Sequence, residues 1–123
     1  MEVQSRYSKA IDEFVKKVLE KYGNRIEKII LFGSYARGDF EGESDIDVLV
    51  VGDITLNDAV DITVPLMLKH GKYISPKVKT SEYLRFLVRE GSSFIKNVLE
   101  EGVVIYDRMG ATPRKGRGEV QVS

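Results

Sequence analysis

The run Asp45-Ile46-Asp47-Val48-Leu49-Val50-Val51 leaves this chain the fewest folding options. Two acids stand at its start, and from Val48 onward it is continuously apolar, the pattern of a strand enclosed within a sheet. Such a strand needs partners at its sides and helices to cover it. The β-branched run Ile26 to Phe32 supplies one partner, ending at Gly33-Ser34. Tyr73 to Lys79 reads as another, and Pro76 assigns it to an edge or irregular position because proline donates no hydrogen bond to a ladder. Val103 to Tyr106 returns as a short last strand.

Helical spacing accounts for most of the rest. Ile11, Phe14, Val15, Val18, Leu19 and Tyr22 recur on one helical face, with Gly23 as the stop. Thr55 with Asp58 three residues later forms a capping-box start for a helix over Leu56 to His70, kinked or interrupted near Pro65 and ended by Gly71. Ser81 is expected to cap a helix to Arg89, and Ser92 or Ser93 another to Glu100. Ser34 to Gly38 fits one helical turn, followed by a polar loop from Asp39 to Glu43. The order helix, strand, strand, helix, strand, helix, helix, strand predicts an α+β fold: a small mixed β-sheet with helices packed mainly on one face. Residues 1–106 are expected to form one domain. Residues 107–123 lose periodicity and gather Arg108, Arg114, Lys115 and Arg117, so they read as a basic, mobile tail.

Composition removes several function classes. With 19 basic and 19 acidic side chains the formal charge is zero, so no general field draws the chain to nucleic acid or an anionic membrane. Nucleic-acid contact is left to the tail. The absence of cysteine excludes disulfides and thiolate metal sites and fits a reducing compartment. Met1 to Arg6 are polar, and no apolar run is long enough to span a bilayer, so a cytoplasmic protein is expected.

The chemistry gathers at two places. Asp45 and Asp47, two apart on a strand, project from one face with their carboxylates side by side. Hard oxygen ligands of this kind, completed by phosphate and water, hold Mg²⁺ or Mn²⁺; an isolated Asp-x-Asp is also what an exposed strand end looks like. Gly33-Ser34 follows a buried strand, where free backbone N–H groups and the Ser34 hydroxyl can meet a phosphate and glycine permits close approach. Arg37 either adds a cation to those phosphates or pairs with Asp39 or Glu41. Together these are the two halves of a nucleoside triphosphate site, with Gly33, Ser34 and Arg37 for nucleotide and Asp45 and Asp47 for metal.

Gly33-Ser34-Tyr35-Ala36-Arg37-Gly38 followed by Ser44-Asp45-Ile46-Asp47-Val48-Leu49-Val50 resembles the signature of the polymerase-beta-type nucleotidyltransferase superfamily, particularly its minimal members. The resemblance implies the nucleotidyltransferase fold, triphosphate binding at the Gly-Ser, and divalent metal at the aspartate pair. It also implies transfer of a nucleotidyl group, with ATP favoured as donor. Minimal members often act as antitoxins beside HEPN-type partner proteins, and some adenylylate that partner. One feature departs from the family. Its active members commonly carry a third carboxylate on the next strand, whereas here Ser75, Lys77 and Lys79 share one strand face. Glu82, just beyond that strand, is the expected substitute as a catalytic carboxylate that takes the acceptor's proton; otherwise the domain is a catalytically weak or inactive nucleotide-binding module. Lys77 and Lys79 also read as charged guards of an exposed edge. His70 is read as complementing a helix C-terminus. So small a domain is expected to complete its site with a partner protein or a second copy of itself.

Overall fold

The computed structural model describes residues 9–33 and 45–110. The elements in chain order are α1 (Lys9–Tyr22), a 3-10 turn (Gly23–Arg25), β1 (Ile26–Phe32), β2 (Ile46–Gly52), α2 (Leu56–His70), β3 (Ile74–Lys79), α3 (Ser81–Arg89), α4 (Ser93–Glu101) and β4 (Val103–Asp107). The four strands form one sheet in the order β3-β2-β1-β4. β1 runs antiparallel to β2 and β4, and β2 runs parallel to β3, so the sheet is mixed and the fold is α+β. A parallel pair needs a crossover, and α2 supplies it. β3 is an edge strand, which accommodates Pro76.

Side-chain parity divides the sheet into two unequal faces. Ile26, Ile29 and Leu31 of β1, Ile46, Val48 and Val50 of β2, and Ile74 of β3 join Ile11, Phe14 and Val18 of α1 and Ala59, Ile62 and Leu66 of α2 in the main core. The register of β1 on β2 shifts between Ile26 and Lys28. That irregularity lets Ile26 and Ile29, an odd number of residues apart, point to the same side. The opposite face is smaller: Ile30, Leu49 and Val51 pack with Val98 of α4, and Leu84 of α3 lies against them. None of the nine residues of α3 is buried. The bulk of the packing therefore lies on the side of α1 and α2.

Local chemistry sets the element ends. The Thr55 hydroxyl accepts from Asp58 N–H at 3.1 Å while the Asp58 carboxylate accepts from Thr55 N–H at 2.9 Å, which completes the capping box. The same backbone donor holds the Asp58 carboxyl below its ordinary pKa. α2 runs unbroken through Pro65, contrary to the expected interruption. Pro65 is exposed while Ile62 and Leu66 on either side are buried, so packing holds the helix and water can take the freed carbonyl. α3 is capped by Thr80, whose hydroxyl accepts from Tyr83 N–H at 3.1 Å, and Ser81 is instead its first helical residue. Ser92 caps α4. β4 extends to Asp107, and Arg108 donates to the carbonyls of Glu27 and Asn24 at 2.8 and 2.7 Å. Both residues thus belong to the folded body that was expected to end at 106. Residues 111–123 of the expected tail lie outside the described residues.

α1 and α2 are tied by polar contacts as well as by the core. Glu13 accepts from Lys69 at 3.0 Å and meets His70 Nε2 at 2.5 Å. His70 also stands in the last turn of α2, where a cation complements the helix dipole. The hydrogen bond from His70, then that from Lys69, lowers the Glu13 pKa from 4.5 to about 2. A carboxyl depressed on folding adds stability above its unfolded pKa and loses it as pH falls through the folded one. Glu13→Gln should therefore lower the melting temperature most above pH 4.5, and the gap to wild type should close as pH falls toward 2. Thermal melts between pH 2 and 7 read this directly, and a gap independent of pH would show that the carboxylate charge plays no part.

Candidate functional site

The end of β1 and the start of β2 meet side by side because the two strands are antiparallel neighbours, with Phe32 paired to Asp47. Edge-on contact of the Phe32 ring with Phe94 of α4, at 5.6 Å between centroids, steadies that end of β1. Gly33 follows with φ +78°, a left-handed conformation natural to glycine. A Cβ at Gly33 would collide with Oδ2 of Asp47 and stand 3.2 Å from its Cγ. The Asp47 carboxylate thus lies directly over the bare Cα of Gly33. Residue 33 is glycine for two separate reasons, its dihedral and the space it leaves.

Asp47 is half-buried, while Asp45, one residue before β2, is exposed. Since Ile46, Val48 and Val50 turn into the main core, Asp45 and Asp47 face the opposite side, as the period of two requires. Gly33 and Asp47 are thus in contact, and Asp45 stands two residues from Asp47 on the same face. Ser34 and Arg37 lie outside the described residues. The donor set fits a hard divalent cation: paired carboxylates, no thiolate, and His70 engaged with Glu13. Among the described residues no group of three or more histidines, cysteines or acids could hold a metal. Among the described residues the aspartates form a pair, not a triad.

β3 explains why. Its parallel register sets Ser75 beside Asp47, Lys77 beside Leu49 and Lys79 beside Val51. With Ile74 in the main core, Ser75, Lys77 and Lys79 share the face of the aspartates. The residue next to Asp47 on this strand is therefore a neutral hydroxyl. Lys77 is exposed, and the Lys79 ammonium lies 5.3 Å from the Tyr83 ring centroid. Glu82 is an exposed residue of the first turn of α3, past Lys79. Val51, the partner of Lys79, is four residues up β2 from Asp47, roughly 13 Å at the strand rise. The fold leaves Glu82 near the far end of the strand and does not bring it to the pair.

One neighbour of the pair was not singled out from sequence. Ile46 N–H donates to the Tyr73 carbonyl at 2.9 Å, so Tyr73 flanks Asp45 just as Ser75 flanks Asp47. Stepping back two residues from Ser75 along its strand face would have reached it, given the parallel pairing.

A family model described as "Polymerase beta, Nucleotidyltransferase" matches residues 13–110. A candidate protein adenylyltransferase of Methanocaldococcus jannaschii, MJ0604, is 51% identical over 98 residues, covering 80% of this chain and 96% of that protein. A second from the same organism, MJ1305, is 32% identical and covers 80% and 70%. Among solved structures, a candidate nucleotidyltransferase from Sulfolobus solfataricus matches with a TM-score of 0.56 at 22% identity, covering 89% of this chain and 87% of that one. A toxin-antitoxin structure with AMP-PNP matches at 0.52 and 24% identity, covering 76% and 71%. These two structural likenesses establish the same fold.

The contact of Gly33 with Asp47 can be isolated by comparison with Gly71, whose φ is +70° and around which a Cβ would meet nothing within 4 Å. Gly71→Ala should cost about 1–2 kcal/mol for its left-handed backbone alone. Gly33→Ala should cost more, the excess measuring displacement of the carboxylate, and Asp47→Ala in the same chain should remove that excess. Urea unfolding of these three variants and of Asp47→Ala alone checks this; equal costs at the two glycines would mean that Asp47 does not rest on Gly33.

Proposed function

Because this chain belongs to the polymerase beta nucleotidyltransferase family, we propose that it binds a nucleoside triphosphate, ATP being favoured, with Mg²⁺ or Mn²⁺ at Gly33, Asp45 and Asp47. It transfers the nucleotidyl group to an acceptor protein and releases pyrophosphate. The observation that carries this reading is the Asp47 carboxylate seated on Gly33, which joins the phosphate-turn half of the site to the metal-ligand half. The high identity to proteins named as protein adenylyltransferases supports AMP as the transferred group. The likeness to a toxin-antitoxin structure, with the HEPN association of similar minimal domains, supports a HEPN-type toxin as the acceptor.

The residues divide the work as follows. Gly33, which carries no side chain, lets phosphate oxygens approach its backbone closely. Asp45 and Asp47 hold the divalent cation, which when bound neutralises the triphosphate and acts as a Lewis acid. Their own charges repel the triphosphate in its absence. The tight core of β2 beneath them keeps the pair from spreading. Ser75 adds no charge beside Asp47 and does not serve as a base near neutral pH. With no further acid beside the pair among the described residues, proton removal from the acceptor is assigned to solvent or to a carboxylate of the acceptor protein.

The lack of an acid on the β3 face beside the pair favours a second reading, in which the domain binds nucleotide and neutralises its partner without turnover. Incubation with labelled ATP, Mg²⁺ and a HEPN-type protein separates the two: labelled partner and pyrophosphate support the enzyme, and neither above background supports the module. For both, calorimetry should show ATP binding only with divalent cation present. Asp45→Asn and Asp47→Asn should each weaken that binding about tenfold or more, about 1.4 kcal/mol. Unchanged cation-dependent affinity in both variants, with the fold intact, would remove the site assignment.

A further inference from the structure

The residue before β3 stands beside the residue before β2. Ile46 and Ile74 are register partners and both turn into the main core. Tyr73 and Ser75 therefore share the open face with Asp45 and Asp47. Tyr73 is 54% exposed, and its hydroxyl has no hydrogen-bond partner among the described residues. A tyrosine kept for packing buries its ring and satisfies its hydroxyl; this one does neither. It is an exposed aromatic side chain on the face of the acidic pair, on the residue that flanks Asp45.

Ser75 and Tyr73 both present hydroxyls but differ in reach. A serine oxygen lies one bond beyond Cβ, so it ends at the level of the aspartate carboxylates. The phenol oxygen lies beyond the ring and rises past that level, into the layer occupied by whatever the carboxylates hold. Adjacent strands are roughly 4.8 Å apart, a lateral distance that a tyrosine side chain spans.

We propose that Tyr73 is a nucleotidyl acceptor within its own chain. The proposal rests on the triphosphate site described under Proposed function. The Tyr73 Oη attacks the α-phosphorus of the bound triphosphate and an oxygen–phosphorus bond forms. The bond from the α-phosphorus to the oxygen bridging to the β-phosphate breaks, and pyrophosphate leaves with that electron pair. The phenolic proton passes to solvent. Acceptor and donor are held by adjacent strands of one sheet, so the reaction is unimolecular and gains the corresponding proximity. The product leaves the nucleotide tethered at the mouth of the site, so each chain is modified once.

The full chain is incubated with ATP and Mg²⁺ and read by intact mass and peptide mapping. The expected result is one adenylyl adduct per chain, on the peptide carrying Tyr73, formed at a rate independent of protein concentration and lost in Tyr73→Phe. An adduct that persists in Tyr73→Phe, a rate that climbs with protein concentration, or a wild type that modifies only other proteins overturns the proposal. A readout without turnover accompanies it: Mg²⁺ with a non-hydrolysable ATP analogue should shield Tyr73 from nitration by tetranitromethane. Calorimetry on wild type separates the two levels. If ATP does not bind with Mg²⁺, the triphosphate site itself fails and the acceptor role with it. If ATP binds while Tyr73 is neither shielded nor modified, the acceptor role alone fails.

Discussion

Burial of β2 on both faces is the constraint that the rest of the molecule serves. Val48 and Val50 meet α1 and α2, while Leu49 and Val51 meet α3 and α4. β1 is the other strand flanked on both sides, and it leaves Glu27, Lys28 and Phe32 half-buried. Packing this dense resists displacement by even a methyl group. The two acids occupy the end of β2 where burial gives way to exposure from Ile46 inside to Asp45 outside. Their spacing is set by the strand repeat, and their position by a core that does not yield.

Much of this was legible because it depends on residues near one another in sequence. The apolar runs of β1 and β2, the Thr55–Asp58 capping box, the glycine stop at Gly71 and the acid pair each follow from local spacing. What was hidden depends on pairing between distant segments. Glu82 lies near Ser75 along the chain, yet the direction of β3 carries it away from Asp47. The parallel register that sets Tyr73 beside Asp45 involves residues 28 apart, and no local pattern encodes it. The Gly33–Asp47 contact is of the same kind, since glycine after a strand reads first as a turn. The shift from Ser81 to Thr80 as the cap of α3 is smaller, a one-residue boundary error between two hydroxyl residues.

The two faces of the sheet also differ in how tightly they hold their helices. α1 and α2 are joined through the main core and through Glu13 with Lys69 and His70. α3 contributes no buried residue and leaves Tyr83, Phe86 and Val88 exposed. Local opening is cheapest where few apolar contacts must be broken. The aspartate pair thus faces the more loosely covered side, while its backbone belongs to the more tightly packed one.

The last strand is also the one that closes the sheet. Lys28 pairs with Asp107, and Leu31 with Val103, so one edge of β1 is covered only by a segment made after every other described element. At typical rates of synthesis the stretch from β1 to β4 takes roughly 4–14 s to assemble. Throughout that interval the Ile29-Ile30-Leu31 run offers an unpaired, apolar strand edge, the kind that recruits another nascent chain. The ion pair of Lys28 with Asp107, at 3.9 Å, joins the two strands once β4 is in place. For this molecule the vulnerable stage is its own birth on the ribosome, before β4 arrives.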